Sequence, residues 1–354
     1  MFSVKRSCSV SLFLILNFSF LIFPAHAQFW HALPPIGSTP SIDVSFSDDG
    51  KKVFYLATKD GVGNVWGMVI MDKYGGIIAD PKNPAIQITK FTDRGIVRFF
   101  HLLNKPQIVF MHAMENGKDF HIYRMKDDGS EQPQDLTPGG EGVTNVIIGA
   151  SNNGRYVYYT NNSVHHDKVD VYRYDTQQYT SDLIFPNDKD YQVLAWTHDQ
   201  RKLLIKDSST NSFKYYDIET TQWAPLEFPA DGKVIDVILD PSSQTPIALD
   251  EAGQVKTWNG DIGMAHGWRY MRKDVLSHID YSPNGKFIIT HSPGMWEVRD
   301  IVSGENLKLP EGAHPLAIAP KETMLVYSIP VTRGSNLFLY DIAKKASVQL
   351  GEVN

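Results

Sequence analysis

Two short signals recur along this chain at a nearly constant interval, and a fixed interval restricts the choice of fold more than any single motif. The first is a polar turn: Ser47-Asp48-Asp49-Gly50-Lys51, Ser151-Asn152-Asn153-Gly154-Arg155, Thr197-His198-Asp199-Gln200-Arg201 and Ser282-Pro283-Asn284-Gly285-Lys286. Degenerate copies stand at Leu103-Asn104-Lys105-Pro106, Asp240-Pro241-Ser242-Ser243 and Ala319-Pro320-Lys321-Glu322. Asn-Gly and Asp-Gly supply the positive φ of a tight hairpin, and proline presets the start of the turn. The second signal closes a later strand with Asp or Asn, at Asp72, Asp127, Asp175, Asp217, Asn259, Asp300 and Asp341. The steps between these positions are 55, 48, 42, 42, 41 and 41 residues.

Runs rich in Val, Ile, Tyr and Phe lie between the signals, and helical periodicity is nearly absent. Each polar turn leads into such a run, as in Ile108-Val109-Phe110-Met111 and Tyr156-Val157-Tyr158-Tyr159. A further strand is predicted after most Asp anchors, including Ile86–Thr89, Gln134–Thr137, Ser181–Ile184, Trp223–Leu226, Asn306–Leu309 and Val348–Leu350; in the fifth unit it falls near Trp268–Met271. Four strands per unit at a period of roughly 40–45 residues is the pattern of a β-propeller. The chain therefore reads as all-β, a single propeller of about seven four-stranded blades spanning 42–350. A lead-in segment at 28–41 and a tail at 351–354 flank it. Since the last blade holds four strands of its own, no strand exchange between the termini is expected.

Residues 1–27 read as a signal peptide. Lys5 and Arg6 precede the apolar stretch Val10–Phe23, and Pro24 is followed by Ala25-His26-Ala27 as the cleavage site. The stretch is shorter than the roughly 20 residues that span a bilayer. Cys8, the one cysteine, lies in this leader, so the mature chain would rely on its core without disulfides. Loss of Lys5 and Arg6 takes the net charge of −6 to −8. An acidic chain has no general attraction for phosphate backbones or anionic membranes, so nucleic acid and stable membrane insertion are not expected. These features place the protein in the periplasm of a Gram-negative bacterium or outside the cell.

Taken together, the units resemble the WD-repeat-like blades of TolB-type periplasmic propellers and of prolyl-oligopeptidase-family peptidases. The second resemblance is carried by Gln87-Ile88-Thr89, Arg98-Phe99-Phe100, Phe120-His121-Ile122-Tyr123-Arg124, Asp135-Leu136-Thr137-Pro138 and Asp170-Val171-Tyr172-Arg173. It implies a propeller and no particular activity, because blade sequences mainly report blade packing. The peptidases add an α/β-hydrolase domain, whereas the last blade here reaches the C-terminus and no G-x-S-x-G elbow occurs. TolB carries a separate N-terminal α/β domain, for which 28–41 is too short.

No HExxH, CxxC or P-loop string is present. His165-His166-Asp167 is the densest histidine cluster, but neighbours on an extended chain point to opposite faces and rarely share an ion. Asp48-Asp49-Gly50 and Asp127-Asp128-Gly129 lack the alternating ligands of a calcium loop and read as turns. Asn161-Asn162-Ser163 matches a glycosylation sequon, without consequence in a bacterium. Trp258, Trp268 and Trp296 fall in less regular segments and read as packing residues with a secondary reading as partner contacts. Candidate binding residues are polar side chains on the innermost strands, around the channel: Arg98, His101, Asn145, Asp236, His278 and Asp280. Their plainer use is hydrogen bonding between blades. No catalytic residue, metal ligand or cofactor is assigned. The expectation is a monomeric, non-enzymatic scaffold for a protein or peptide partner. Its alternatives are a hydrolase or lyase with a channel site, and a peptidase-like propeller served by a separate catalytic domain.

Overall fold

The structure, a computed structural model, describes residues 43–79, 85–151, 153–164, 169–189, 191–197, 199–227, 233–240, 245–259, 267–272, 276, 278–292, 294–332 and 334–353, with backbone alone at 257–259, 267–272 and 278. Among these residues there is no helix, and 27 strands form seven antiparallel sheets of consecutive strands. The innermost strands are Val44–Phe46, Ile96–His101, Asn145–Ala150, Tyr191–Trp196, Val234–Leu239, His278–Tyr281 and His314–Ile318. All begin on one face of the ring, here the upper face, and end at the polar turns on the lower face. Six sheets have four strands. The sixth blade has three, its outer strand reduced to a bridge between Arg299 and Asn306. The last blade is built from its own four strands, and the ring closes without strand exchange among the described residues.

Each blade buries both of its faces. Val53, Met68 and Val44 of blade one join Val326, Leu339 and Ala317 of blade seven in one apolar cluster, while Phe54 and Val65 join Phe99, Phe110 and Met125 of blade two in another. A longer cluster runs through blades two, three and four, from Val109 through Tyr158 to Trp196. Burial on both sides is why the second strands read as continuous apolar runs rather than alternating ones. Tyr158 packs against Trp196 across such a seam, the rings tilted by 34° with centroids 4.2 Å apart, filling the wedge that opens between blades.

The two recurring signals meet on the lower face. Ser47 Oγ accepts from Lys52 N–H and donates to the Asp49 carboxylate; Ser151 and Asn153, and Thr197 and Asp199, repeat this arrangement. The Asp anchors cap the following turn, as Asp175 Oδ1 accepts from Gln177 and Gln178 N–H, and Asp217 and Asp300 do likewise. The basic residue after the polar turn then reaches the same Asp: Arg155 donates through Nε and Nη2 to Asp175 Oδ2 at 2.9 and 2.8 Å. Arg201 lies 3.7 Å from Asp217 and Lys286 3.9 Å from Asp300. Backbone bonds from Thr176, Ile218 and Ile301 N–H to the carbonyls of Arg155, Arg201 and Lys286 lock this clasp in blades three, four and six. Gly154 (φ +65°) packs so tightly against the Leu103 carbonyl of blade two that a Cβ would overlap it.

The clasps differ in burial, and their energetics should follow. The Asp175 side chain is 4% exposed and that of Asp217 15%. Asp175→Ala should cost about 1–2 kcal/mol in urea denaturation, since it removes the cap of a turn. Asp217→Ala, at the more exposed clasp, should cost less.

Candidate functional site

The inner strands meet the channel with their backbone distorted in a regular way. Register shifts place an extra residue at Val97, Ile148, Leu194, Ile235 and Leu316, in five of the seven blades. A bulge leaves backbone groups unpaired and re-aims its side chains. At the upper mouth the bulged Val97 and Ile235 are 42% and 41% exposed. The Ile235 carbonyl freed in blade five accepts a hydrogen bond from Lys206 Nζ of blade four at 3.0 Å.

The residues singled out on the inner strands separate into distinct settings. Arg98 is buried beside Asp43, which directly precedes the first strand. Asp43 Oδ2 accepts from Phe99 N–H at 3.2 Å, and Ser45 Oγ from His101 N–H at 2.9 Å. Side chains of blade one thus satisfy the open inner edge of blade two. His101 lies at the lower end of its strand, stacked on Phe54, with Nε2 3.1 Å from Asp127, which Lys52 also reaches. Its Nδ1 is buried without a partner. Asn145 donates to the Phe120 carbonyl of blade two and accepts from Asn161 within blade three. Asp236 and Asp280 are half-buried, and in each Oδ1 accepts from the next residue's N–H. His278 is placed by its backbone opposite His291, and its side chain lies outside the described atoms.

His165-His166-Asp167 and the side chains of Trp258 and Trp268 lie outside the described residues. Trp296 is half-buried between His291 at 4.5 Å and His314 at 6.3 Å. Asp49 Oδ1 accepts from Lys51 N–H and Asp128 Oδ1 from Ser130 N–H, which is turn chemistry in both places. Asn161 of the sequon is engaged with Asn145 and with Ser163 N–H. Among the described residues no group of three or more His, Cys, Asp or Glu is arranged to hold a metal ion.

Asp43 was not singled out from sequence. Its signal is the alternation of Asp43, Ser45 and Ser47 with Val44 and Phe46, which marks a short strand with one polar side. Burial pushes its carboxyl up to about 6, against the lowering pull of Arg98 and the Phe99 hydrogen bond. Burial also lowers Arg98, with Asp43 opposing. The pair is a buried carboxyl–guanidinium unit at the channel wall, and it can hold or release a proton near neutral pH.

No family model matches the chain. Dipeptidyl aminopeptidase BIII of Pseudoxanthomonas mexicana is 33% identical over 104 residues, which are 29% of this chain and 13% of that protein. An oligogalacturonate lyase solved in complex with manganese superposes with a TM-score of 0.59 at 13% identity, over 85% of this chain and 88% of its own. A prolyl endopeptidase gives a TM-score of 0.59 at 11% identity, over 94% of this chain and 51% of its own. TolB of Acinetobacter baumannii gives 0.49 at 14% identity, over 84% and 78% of the two chains. The likeness to the lyase and the endopeptidase is one of fold, a β-propeller.

The Asp43 setting has a pH signature. The folded chain binds this proton more tightly than the unfolded one, whose aspartate titrates near 3.8. Its contribution to stability is therefore fully present below that value and is lost as pH rises through about 6. In urea titrations at a series of pH values, Asp43→Asn should remove a falling component of about 2–3 kcal/mol between pH 4 and 6.5.

Proposed function

We propose that this chain is an exported, non-enzymatic β-propeller that binds a protein or peptide segment at the upper mouth of its ring. The observation that carries the reading is the character of the mouth. Its bulged inner strands turn Val97 and Ile235 outward, while Asn145 and Arg98 beside them are engaged with neighbouring blades. Exposed apolar side chains on a rigid frame suit contact with a partner. Export rests on the leader at 1–27, and no described helix is long and apolar enough to cross a membrane.

An enzymatic reading has one observation in its favour. Asp43, held near neutral pH beside Arg98, has the perturbed titration typical of catalytic carboxylates. The lyase and peptidase among the similar proteins name the reactions to try.

A photo-crosslinking residue at position 97 or 235 in chain 28–354, incubated in an envelope extract of the source organism, should capture a partner. Val97→Glu with Ile235→Glu should weaken binding of that purified partner by about tenfold or more, with the thermal midpoint unchanged. Undiminished binding by the double variant would sink the docking site. Manganese-dependent cleavage of oligogalacturonate, or hydrolysis of a dipeptide anilide, that is lost in Asp43→Asn would replace the reading with the enzymatic one.

A further inference from the structure

The lower face at the seam of blades two and three carries positive charge that the chain itself does not neutralise. Arg124 lies in the third strand of blade two, Phe120–Lys126, directly opposite Gln134 of the outer strand. Its Nη2 donates to Gln134 Oε1 at 2.5 Å. Its Nε is buried without an acceptor, as is that of Arg173 in blade three. Blade three gives the internal comparison. There the equivalent arginine, Arg173, stands opposite Asp182, with Nη2 3.5 Å from the carboxylate. Blade two keeps the arginine and puts a neutral amide where blade three has the counter-ion. Among the described residues no carboxylate pairs with Arg124. The nearby Asp175 is occupied, with Oδ2 taken by Arg155 and Oδ1 by Gln177 and Gln178 N–H.

A second cation lies close enough to be repelled by the first. Lys105, from the polar turn of blade two, is held by Thr176 of blade three, donating to its carbonyl at 3.1 Å and its hydroxyl at 2.6 Å. Its ammonium is lowered by burial and then by the charge of Arg124, with Asp175 opposing. Burial and repulsion thus act together on a lysine whose position is fixed by hydrogen bonds.

Tyr179 is 57% exposed, and Arg124 lies over its ring at 5.1 Å. It occupies the left-handed position of the turn, φ +59°, as Thr221 does in blade four at φ +57° and Gly304 in blade six at φ +73°. The three positions are equivalent, since each N–H bonds the carbonyl of its Asp anchor. The turn therefore accepts a residue other than glycine, and what sets Tyr179 apart is its exposed ring against Arg124.

We propose that Arg124, Lys105 and Tyr179 form a binding site for an oxyanion, a carboxylate or phosphoryl group, on the lower face of the ring. The guanidinium presents a planar donor fork suited to paired oxygens, and the ammonium adds a point charge at a second oxygen. The tyrosine ring supports the guanidinium and keeps water from its underside. The site lies on the face opposite the mouth, so its failure and that of the docking reading are distinguishable.

Calorimetric titration of chain 28–354 with inorganic phosphate and, separately, malonate, against KCl at matched ionic strength, tests the site. The two arms distinguish a phosphoryl from a carboxylate ligand. Saturable binding of at least one probe is expected. Arg124→Gln should weaken it by about tenfold or more. Gln134→Asp, which leaves the arginine in place and supplies the counter-ion of blade three, should do the same, while Arg173→Gln should leave binding unchanged. The proposal is overturned if neither probe binds beyond the KCl control. Parental affinity in either Arg124→Gln or Gln134→Asp would overturn it equally.

Discussion

A blade of four short strands has two apolar faces and no means of covering either by itself. Here both are covered by neighbours, and the last seam is closed by Val44, Phe46 and Val53 of blade one against Ala317, Val326 and Leu339 of blade seven. Nearly every other feature follows from that mutual burial. Uncharged apolar side chains fill the middle of each seam, so polar groups are confined to the strand ends and to the edges of the inner strands. Where charge does enter the interior it arrives paired, as with Lys256 and Asp250, each 2% exposed and 3.3 Å apart.

The same constraint shapes the channel wall. An innermost strand pairs on one side only, so its other edge needs donors and acceptors from somewhere else. Blade one supplies Asp43 and Ser45 to the N–H groups of Phe99 and His101, and blade four supplies Lys206 to the carbonyl of Ile235. Asn145 serves the Phe120 carbonyl one blade back. These are the residue types from which a catalytic constellation would be built. These four side chains are spent on joining blades, and of the five bulged residues Val97 and Ile235 are exposed while Ile148 and Leu194 are buried.

What was legible in the sequence was local. The polar turns bond within five residues of themselves, as Ser47 does with Lys52, and the Asp anchors cap turns two to three residues on, so their spacing exposes the blade count directly. The outer strands were read less evenly. Asn306–Leu309 has the composition of a strand, yet only Arg299 and Asn306 bridge, with Leu307 N–H bonding the Val298 carbonyl. In blades one and two the Thr89 and Thr137 hydroxyls accept from Val65 and Ile122 N–H just beyond that point. Blade six has Lys308 there, then Pro310, and the pairing stops. Cross-blade partners were not legible at all. Asp43 meets Phe99 from 56 residues away, and Glu322 completes the Ser282 turn from 40 residues away, where blades one, three and four use an acceptor inside the turn.

Repetition supplies an internal standard that a single-copy fold lacks. Each blade solves the same packing problem, so a position that keeps its residue type from blade to blade can be explained by the blade alone. Arg173 with Asp182 is such a solution: a cation on the third strand, its counter-ion on the fourth, both within one sheet. Arg124 with Gln134 departs from it at the partner: the cation stays and the counter-ion becomes a neutral amide. The buried Nε without an acceptor is common to Arg124 and Arg173, and positive φ at the Tyr179 position is shared by Thr221 of blade four, so neither belongs to the departure. What blade packing leaves over is a guanidinium hydrogen-bonded to an amide rather than a carboxylate, set against an exposed ring of blade three and repelling a second cation, Lys105. A bound oxyanion is the counter-ion that such a pair of cations would hold.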